Sequence, residues 1–212
     1  PTMTNMCQKP KSGFIESVNF FGTKSVGTRF VYLLDKSGSM WAKAKIISDI
    51  KFLPWFALEL QELERSLRML KPYMKFAVVV YDNRPHYSMF THQGQPRLIT
   101  ASKQNIDTTV LWLKGMNPGG GNLVVPAFAV AAKFRPDMVF LLSDGMVDLN
   151  PHEVCADILK LNSSVRARVN TISLHEPAGT NLMKRIAHQN TGEFRYIAPK
   201  VVPKKHCLTV PL

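Results

Sequence analysis

The chain has 212 residues, of which 45% are hydrophobic and 20% are charged. This composition is ordinary for a globular protein and excludes a wholly disordered chain, and the length suits one domain better than two. The 27 basic residues outnumber the 15 acidic ones, so the net charge is +12 and long-range attraction favours anionic partners. The longest apolar runs have the length of strands, well short of the roughly 20 residues that cross a bilayer.

The first half of the chain is predicted to hold two strands separated by helix. Apolar runs predict strands at 29–35 and 75–81. Between them, leucines recur at helical spacing and predict a helical region over 41–71, which Pro54 either kinks or divides into two helices. A polar loop is expected at 82–97.

The second half alternates between strand and helix. The predicted strands lie at 98–100, 138–142, 167–174 and 193–197. The predicted helices lie at 102–114, 126–134, 151–161 and 179–189. Such alternation is typical of a parallel sheet with helices on both faces. We therefore expect a three-layer α/β fold whose central sheet is mainly parallel, has about six strands and places strand 29–35 in the middle.

The two ends of the chain are predicted to extend beyond this domain. We assign 1–18 to an N-terminal extension, 19–198 to the domain and 199–212 to a C-terminal tail rich in proline. Because the first residue is Pro1 rather than methionine, we expect a processed protein or an excised fragment whose targeting segment is not visible.

The three cysteines are too widely spaced for a zinc site or a disulfide framework. Cys155 lies on an apolar helical face and is expected in the core. Cys7 and Cys207 lie in the two extensions and would pair only if both extensions lie on the same side of the domain.

The loop after the first predicted strand carries the strongest chemical signal. Asp35 ends an apolar strand, and Ser37 and Ser39 follow it at alternate positions around Gly38. Several hard oxygen ligands on one tight turn suit magnesium, manganese or calcium. The alternative is an ordinary turn in which one of the serines caps the following helix.

A second acid supports the cation site. Asp144 also follows a solid apolar strand and precedes a glycine. In an open parallel sheet the carboxyl ends of neighbouring strands meet at one crevice, so Asp35 and Asp144 are expected to face each other. A glycine-rich loop at 117–123 opens a helix and is expected at the same place.

Four other polar residues are candidates for the site. Asp148 and Glu176 follow strands at the same predicted end of the sheet, where they either rim the site or are plain surface acids. His86 and His92 lie six positions apart in the polar loop, and we favour solvated loop histidines over metal ligands.

The sequence does not favour an enzyme or a reader of nucleic acid. The nucleophile elbow requires G-x-S-x-G, whereas the turn around Ser37 begins with an acid. The chain offers no pattern of a general base beside a nucleophile. It also lacks the motifs of specific nucleic-acid recognition.

The serine loop at 35–39, the glycine-rich loop and Asp144 together resemble the von Willebrand factor A domain. In that family the metal-ion-dependent adhesion site combines a D-x-S-x-S loop, a later threonine and a later aspartate. The resemblance extends over about 20–198. It places Asp35, Ser37 and Ser39 in the three loop positions and Asp144 in the later acidic position. The implied fold is the three-layer, Rossmann-like fold of this family.

One ligand position departs from the family pattern. Gly121 stands where the threonine is expected, so that water or the side chain of Asn122 would have to complete the shell. The resemblance is closest to bacterial members, in which a Phe-Gly pair like that at 21–22 and a Pro-Asp pair like that at 136–137 precede strands.

The resemblance implies a binding module rather than an enzyme. The cation of such a module, Mg²⁺ in the first place and Mn²⁺ or Ca²⁺ as alternatives, would bind an acidic residue of a partner protein. Alternatively, the basic domain would bind an anionic surface. The location implied is the cell envelope or the extracellular space. The alternative is a scaffolding subunit of a larger assembly, with a degenerate site that holds no metal.

Overall fold

A computed structural model of the chain describes residues 17–41, 43–45, 52–87, 91–92 and 95–198. The extension up to residue 16 and the tail at 199–212 lie outside these residues, and so do Cys7 and Cys207. The expectations placed on them stay predictions.

The elements alternate along the chain much as the sequence predicts. The strands are β1 (Ser17–Phe20), β2 (Thr23–Val26), β3 (Arg29–Asp35), β4 (Lys43–Lys45), β5 (Phe52–Pro54), β6 (Lys75–Tyr81), β7 (Pro85–Tyr87), β8 (Thr91–His92), β9 (Gln95–Pro96), β10 (Ile99–Thr100), β11 (Met138–Ser143), β12 (Arg168–Leu174) and β13 (Phe194–Ile197). The α-helices are α1 (Trp55–Met69), α2 (Lys103–Lys114), α3 (Val124–Lys133), α4 (Pro151–Asn162) and α5 (Thr180–Gln189). Short 3₁₀ turns span Gly38–Trp41 and Pro177–Gly179. Among the described helices, none is long and apolar enough to span a membrane.

The central sheet confirms the predicted architecture. It has seven strands, in the order β10-β6-β3-β11-β12-β13 with β7 also paired to β6. The strands from β6 to β13 in this order run parallel, whereas β7 and β10 pair antiparallel with β6. β3 therefore lies centrally, with β6 on one side and β11 on the other. The direction in which the chain adds strands thus reverses at β3, which makes this position the topological switch point of the sheet. A crevice forms at the carboxyl ends of the strands at such a point.

Alternating side chains of β3 form two cores, one on each face of the sheet. Phe30, Tyr32 and Leu34 pack with α1 and α2, and Val31 and Leu33 pack with α3, α4 and α5. All five side chains are fully buried, as expected for a central parallel strand covered on both faces. Cys155 of α4 is buried in the second core, as the sequence predicts.

The prediction of one helical region over 41–71 is wrong in its first part. Residues 43–45 and 52–54 form the antiparallel pair β4 and β5, and the helix begins only at Trp55. Proline cannot donate to a helical ladder and restricts the residue before it to extended conformations. Pro54 is therefore the last residue of β5 and stands directly before α1, so it marks a helix start but does not separate two helices.

Two further departures lie in antiparallel strands. β1 and β2 form a hairpin that begins at Ser17, inside the extension predicted at 1–18, and buries Val18 and Phe20 in the first core. The loop predicted at 82–97 contains β7, β8 and β9, of which β7 lengthens the central sheet to seven strands. Short strands of this kind carry too few residues for hydrophobic periodicity to separate them from loop.

Candidate functional site

Asp35 is the centre of a polar cluster at the carboxyl end of β3. Its carboxylate is fully buried. One oxygen accepts a hydrogen bond from the Ser37 backbone N–H at 2.8 Å. The other accepts from the Asn122 side-chain amide and from the Ser143 hydroxyl, each at 2.6 Å. Three donors on one carboxylate fix its orientation tightly.

The serines of the loop lie next to this carboxylate. Ser37 is buried and its hydroxyl lies 3.0 Å from that of Ser39, which is exposed. The two hydroxyls therefore run from the buried acid towards solvent. The hydrogen bond from the Ser37 N–H to the Asp35 side chain, two residues earlier, closes an Asx turn at the start of the loop.

The glycine-rich loop is hydrogen-bonded to the serine loop through its backbone. The Gly119 N–H donates to the Lys36 carbonyl at 2.7 Å, and the Gly38 N–H donates to the Gly120 carbonyl at 3.0 Å. Gly120 has a φ of +85°, a left-handed conformation that suits glycine. These bonds bring the loop at 117–123 against Asp35, as the sequence predicts.

Within this loop, Asn122 rather than Gly121 faces the acid. Asn122 is buried and its amide nitrogen reaches Asp35, while its carbonyl oxygen Oδ1 has no hydrogen-bond partner among the described residues. A Cβ placed on Gly121 would instead meet the Asp148 carboxylate and lie 2.5 Å from Asn83 Oδ1. Of the two residues considered for the missing threonine, Asn122 is therefore the one whose side chain lies against Asp35.

Asp144 follows β11 at the same edge of the sheet. Leu142 lies opposite Leu34 in the parallel register, so Asp144 and Asp35 lie at the same end of the sheet. Asp144 is fully buried, and its Oδ1 accepts from the Met146 N–H at 2.9 Å. Its Oδ2 has no hydrogen-bond partner among the described residues.

A histidine and a tryptophan cover the second oxygen of Asp144. His175 Nε2 lies 3.9 Å from Asp144 Oδ2, and the His175 ring stacks on Trp55 with ring centres 5.3 Å apart. Burial lowers the pKa of His175, and the charge of Asp144 opposes this effect. A neutral His175 leaves the negative charge of Asp144 without a full countercharge.

Burial disfavours the charged forms of two acids in the cluster, Asp35 and Glu59. Burial raises the pKa of Asp35 to about 7, and the neighbouring Asp144 adds to the rise against the hydrogen bonds from Ser143 and Ser37. Glu59 of α1 is also fully buried, and burial followed by the charges of Asp35 and Asp144 raises its pKa well above the usual range.

At the rim of the cluster, Asp82 has a cationic partner. Partial burial disfavours the charged form of Asp82, but hydrogen bonds that include one from Lys36 at 2.5 Å lower the pKa of Asp82 overall. His86 lies against the same acid, with its Nε2 3.1 Å from Oδ1. Asp148 accepts from the Asn122 N–H at 2.6 Å and therefore rims the site, whereas Glu176 caps a 3₁₀ turn.

Several residues of the cluster were missed by the sequence analysis. Glu59 lies three positions after Phe56 and four before Leu63, so a stricter reading of the helical face would have placed this acid inside the core. Ser143, at the last position of β11, precedes the expected acid. No sequence pattern pointed to the contact between Trp55 and His175.

The oxygen set suits a hard cation. It offers two buried carboxylates, two hydroxyls and an amide oxygen, and one oxygen each of Asp144 and Asn122 has no hydrogen-bond partner among the described residues. Within the described ranges, no group of three or more His, Cys, Asp and Glu side chains is close enough to hold a metal by itself. Any cation here would therefore depend on the hydroxyl and amide oxygens as well as on the acids.

Fold and cluster together define an open α/β domain with a buried acid pair at its switch point. No protein-family model matches the sequence, and no curated protein matches it either. Solved structures do match. A von Willebrand factor type A protein from Catenulispora acidiphila superposes with a TM-score of 0.66 at 19% identity, over 82% of this chain and 40% of that one.

Two further structures share the fold at lower identity. The SpRpn10 VWA domain has a TM-score of 0.59 at 10% identity, over 82% of this chain and 90% of that one. The pilus adhesin SpaC from Lactobacillus rhamnosus GG has a TM-score of 0.63 at 9% identity, over 81% of this chain and 28% of that one. The chain therefore has the von Willebrand factor A fold, as its sequence motifs implied, and it spans less than half the length of the first and third of these proteins.

Proposed function

We propose that this chain is a cation-dependent binding module rather than an enzyme, and that its partner presents an acidic side chain. The observation that carries the proposal is the buried pair Asp35 and Asp144, beside which one oxygen each of Asp144 and Asn122 has no hydrogen-bond partner in the described part of the chain. Two buried acids without a countercharge are costly, and a bound cation would remove that cost.

Ser37, Ser39, Asp144 and the carbonyl oxygen of Asn122 are the groups that would hold the cation, with Asp35 beneath them. Mg²⁺ fits a site of few protein oxygens because it retains bound waters, and Mn²⁺ or Ca²⁺ would fit the same donor types. Such an ion supplies a positive charge at which a carboxylate can displace water. Ser39 is exposed, so the approach to the ion would be from its side.

The surface around the cluster supports a contact with another macromolecule. Three large apolar side chains on the neighbouring loops are strongly exposed, namely Trp41, Met146 and Leu149. The Trp41 indole is held in place by a 2.7 Å hydrogen bond to the Pro118 carbonyl. Tryptophan at the centre of an interface often contributes much of the binding energy, and a pre-positioned ring loses little entropy on binding.

Net charge supports the same class of partner. A chain of net charge +12 attracts acidic proteins or anionic surfaces and repels basic ones. We infer an acidic protein partner, with an anionic surface as the alternative, at the cell envelope or outside the cell. The shared fold with the pilus adhesin SpaC is compatible with that location.

A scaffolding subunit with a metal-independent site is the second candidate. It is favoured by the amide of Asn122, which donates to Asp35, and by the raised pKa of Asp35, because a protonated Asp35 needs no cation. The same fold occurs in the human COPII-coat protein Sec24c, at a TM-score of 0.59 and 10% identity over 81% of this chain and 29% of that one.

Calorimetric titration with Mg²⁺ and Mn²⁺ separates the two candidates. The wild-type chain should bind one cation, and Asp35→Ala should not. Asp107→Ala is the matched control, because Asp107 is a half-exposed acid of α2 that pairs with Lys103 and Arg68. Capture of partners should then need both the cation and Asp35. Capture that survives a chelator and Asp35→Ala alike would establish the scaffolding role.

A further inference from the structure

Glu59 is a buried acid that neither the predicted site nor the fold explains. It lies on α1 with no exposed surface, and neither of its carboxylate oxygens has a hydrogen-bond partner among the described residues. Placing an unpaired carboxylate in a core costs several kcal/mol unless a proton or a cation neutralises it. A core position of α1 that needed only volume would be filled better by leucine or methionine.

The packing of α1 against β3 places Glu59 at the level of Asp35. The Tyr32 hydroxyl lies 2.9 Å from the Ser66 hydroxyl, which fixes where helix and strand meet. The helix begins beside His175 at the carboxyl end of the sheet, so it runs antiparallel to β3. From Ser66 back to Glu59 the helix rises about 10 Å, and from Tyr32 to Asp35 the strand advances about 10 Å.

A second contact places Glu59 beside Asp144. Trp55 lies one helical turn before Glu59 and therefore on the same face of α1. Its ring stacks on His175, whose Nε2 lies 3.9 Å from Asp144 Oδ2. The helix thus delivers Glu59 to the space under both site acids, which agrees with the influence of both charges on its pKa.

We propose that Glu59 is a third carboxylate of this centre, whose negative charge would help to hold the cation without ligating it directly. The inference rests on the proposed function. The indirect role follows from the geometry, because the described acids do not approach closely enough to form a metal cluster by themselves. With Asp35 and Asp144, Glu59 brings the formal charge of the ionised centre to −3.

The extra charge has a consequence for the kind of cation bound. The attraction between a fixed carboxylate and an ion grows in proportion to the ion's charge. Glu59 should therefore favour a trivalent ion more than a divalent one. This proportionality distinguishes an electrostatic role from a purely structural one, because damage to the shape of the site would weaken both ions to a similar degree.

The test compares wild type, Glu59→Gln and Glu64→Gln with two probes, Mn²⁺ by calorimetry and Tb³⁺ by luminescence. Glu64 is the control because it is a partly exposed acid of the same helix, paired with Arg68. Glu59→Gln should weaken the binding of Mn²⁺ about tenfold and that of Tb³⁺ about thirtyfold, since the loss of binding free energy scales with the charge of the ion. Glu64→Gln should change neither affinity by more than about twofold.

Fold integrity is checked by circular dichroism and urea unfolding in EDTA. If Glu59→Gln does not fold, Glu59→Met removes the carboxylate while filling its volume with an apolar chain, and the same comparison is made with that variant. Equal losses for the two ions, or unchanged affinities, would overturn the role of Glu59 while the proposed function stands. A wild-type chain that binds neither ion would overturn the proposed function and this inference together.

Discussion

Replacing Asp35 with asparagine should stabilise the metal-free protein at neutral pH while abolishing its response to cations. Burial raises the pKa of Asp35 to about 7 in the folded chain, against 3.8 when exposed. The folded state therefore binds the proton more tightly than the unfolded state. For a raised pKa, the contribution to stability is complete below pH 4 and is lost as the pH rises towards 7.

The size of this loss follows from the shift. About three pKa units correspond to about 4 kcal/mol of unfolding free energy, lost between pH 4 and pH 7 and constant above. Asparagine avoids this cost but presents an N–H where Asp35 now accepts. Asn122 can turn its free Oδ1 towards the new donor, at a cost of about 1 kcal/mol for rearranged hydrogen bonds. We therefore expect Asp35→Asn to gain about 2–3 kcal/mol at pH 8.

Urea unfolding in EDTA at pH 5, 6, 7 and 8 measures this difference, with Asp107→Asn as the surface control. The gap between Asp35→Asn and wild type should widen with pH up to about 7 and then level off. Added Mg²⁺ should narrow the gap by stabilising only the wild type. Parallel curves for the two proteins would refute the assignment of a costly buried charge to Asp35.

Three further substitutions probe the walls of the site. Asn122→Ala should cost about 1–2 kcal/mol in urea unfolding and weaken Mg²⁺ in calorimetry, because it removes a donor to Asp35 and an acceptor oxygen; Asn181→Ala, on the exposed face of α5, should do neither. Gly145→Ala should lower stability by about 2 kcal/mol or more, because Gly145 has a φ of +76° and its new Cβ would lie 2.5 Å from a backbone carbonyl; an unchanged melting temperature would contradict the close packing seen there. Lys36→Met should raise the pKa of Asp82, observed by NMR titration, and an unmoved pKa would show that their ion pair does not persist in solution.

The sequence by itself determined the layered fold and the two main acids. Strands buried on both faces must be apolar throughout, and this signal is strong in β3 and β11. The positions of Asp35 and Asp144 at the ends of those strands then follow from parallel topology alone. Proline at 54 and serine at 102 marked helix starts because their backbone and side-chain chemistry is local, and Ser102 does cap α2.

Only the tertiary structure showed which polar side chains lie around Asp35. Gly121 and Asn122 are neighbours in sequence, and the choice between them depends on how the loop packs on Asn83 and Asp148, which lie far away along the chain. In the sequence, Glu59 is one of several charged residues of the predicted helical region. The position of Glu59 near Asp35 and Asp144 follows from the packing of α1 on β3. Burial and the proximity of other charges arise from contacts between distant segments and not from local preference.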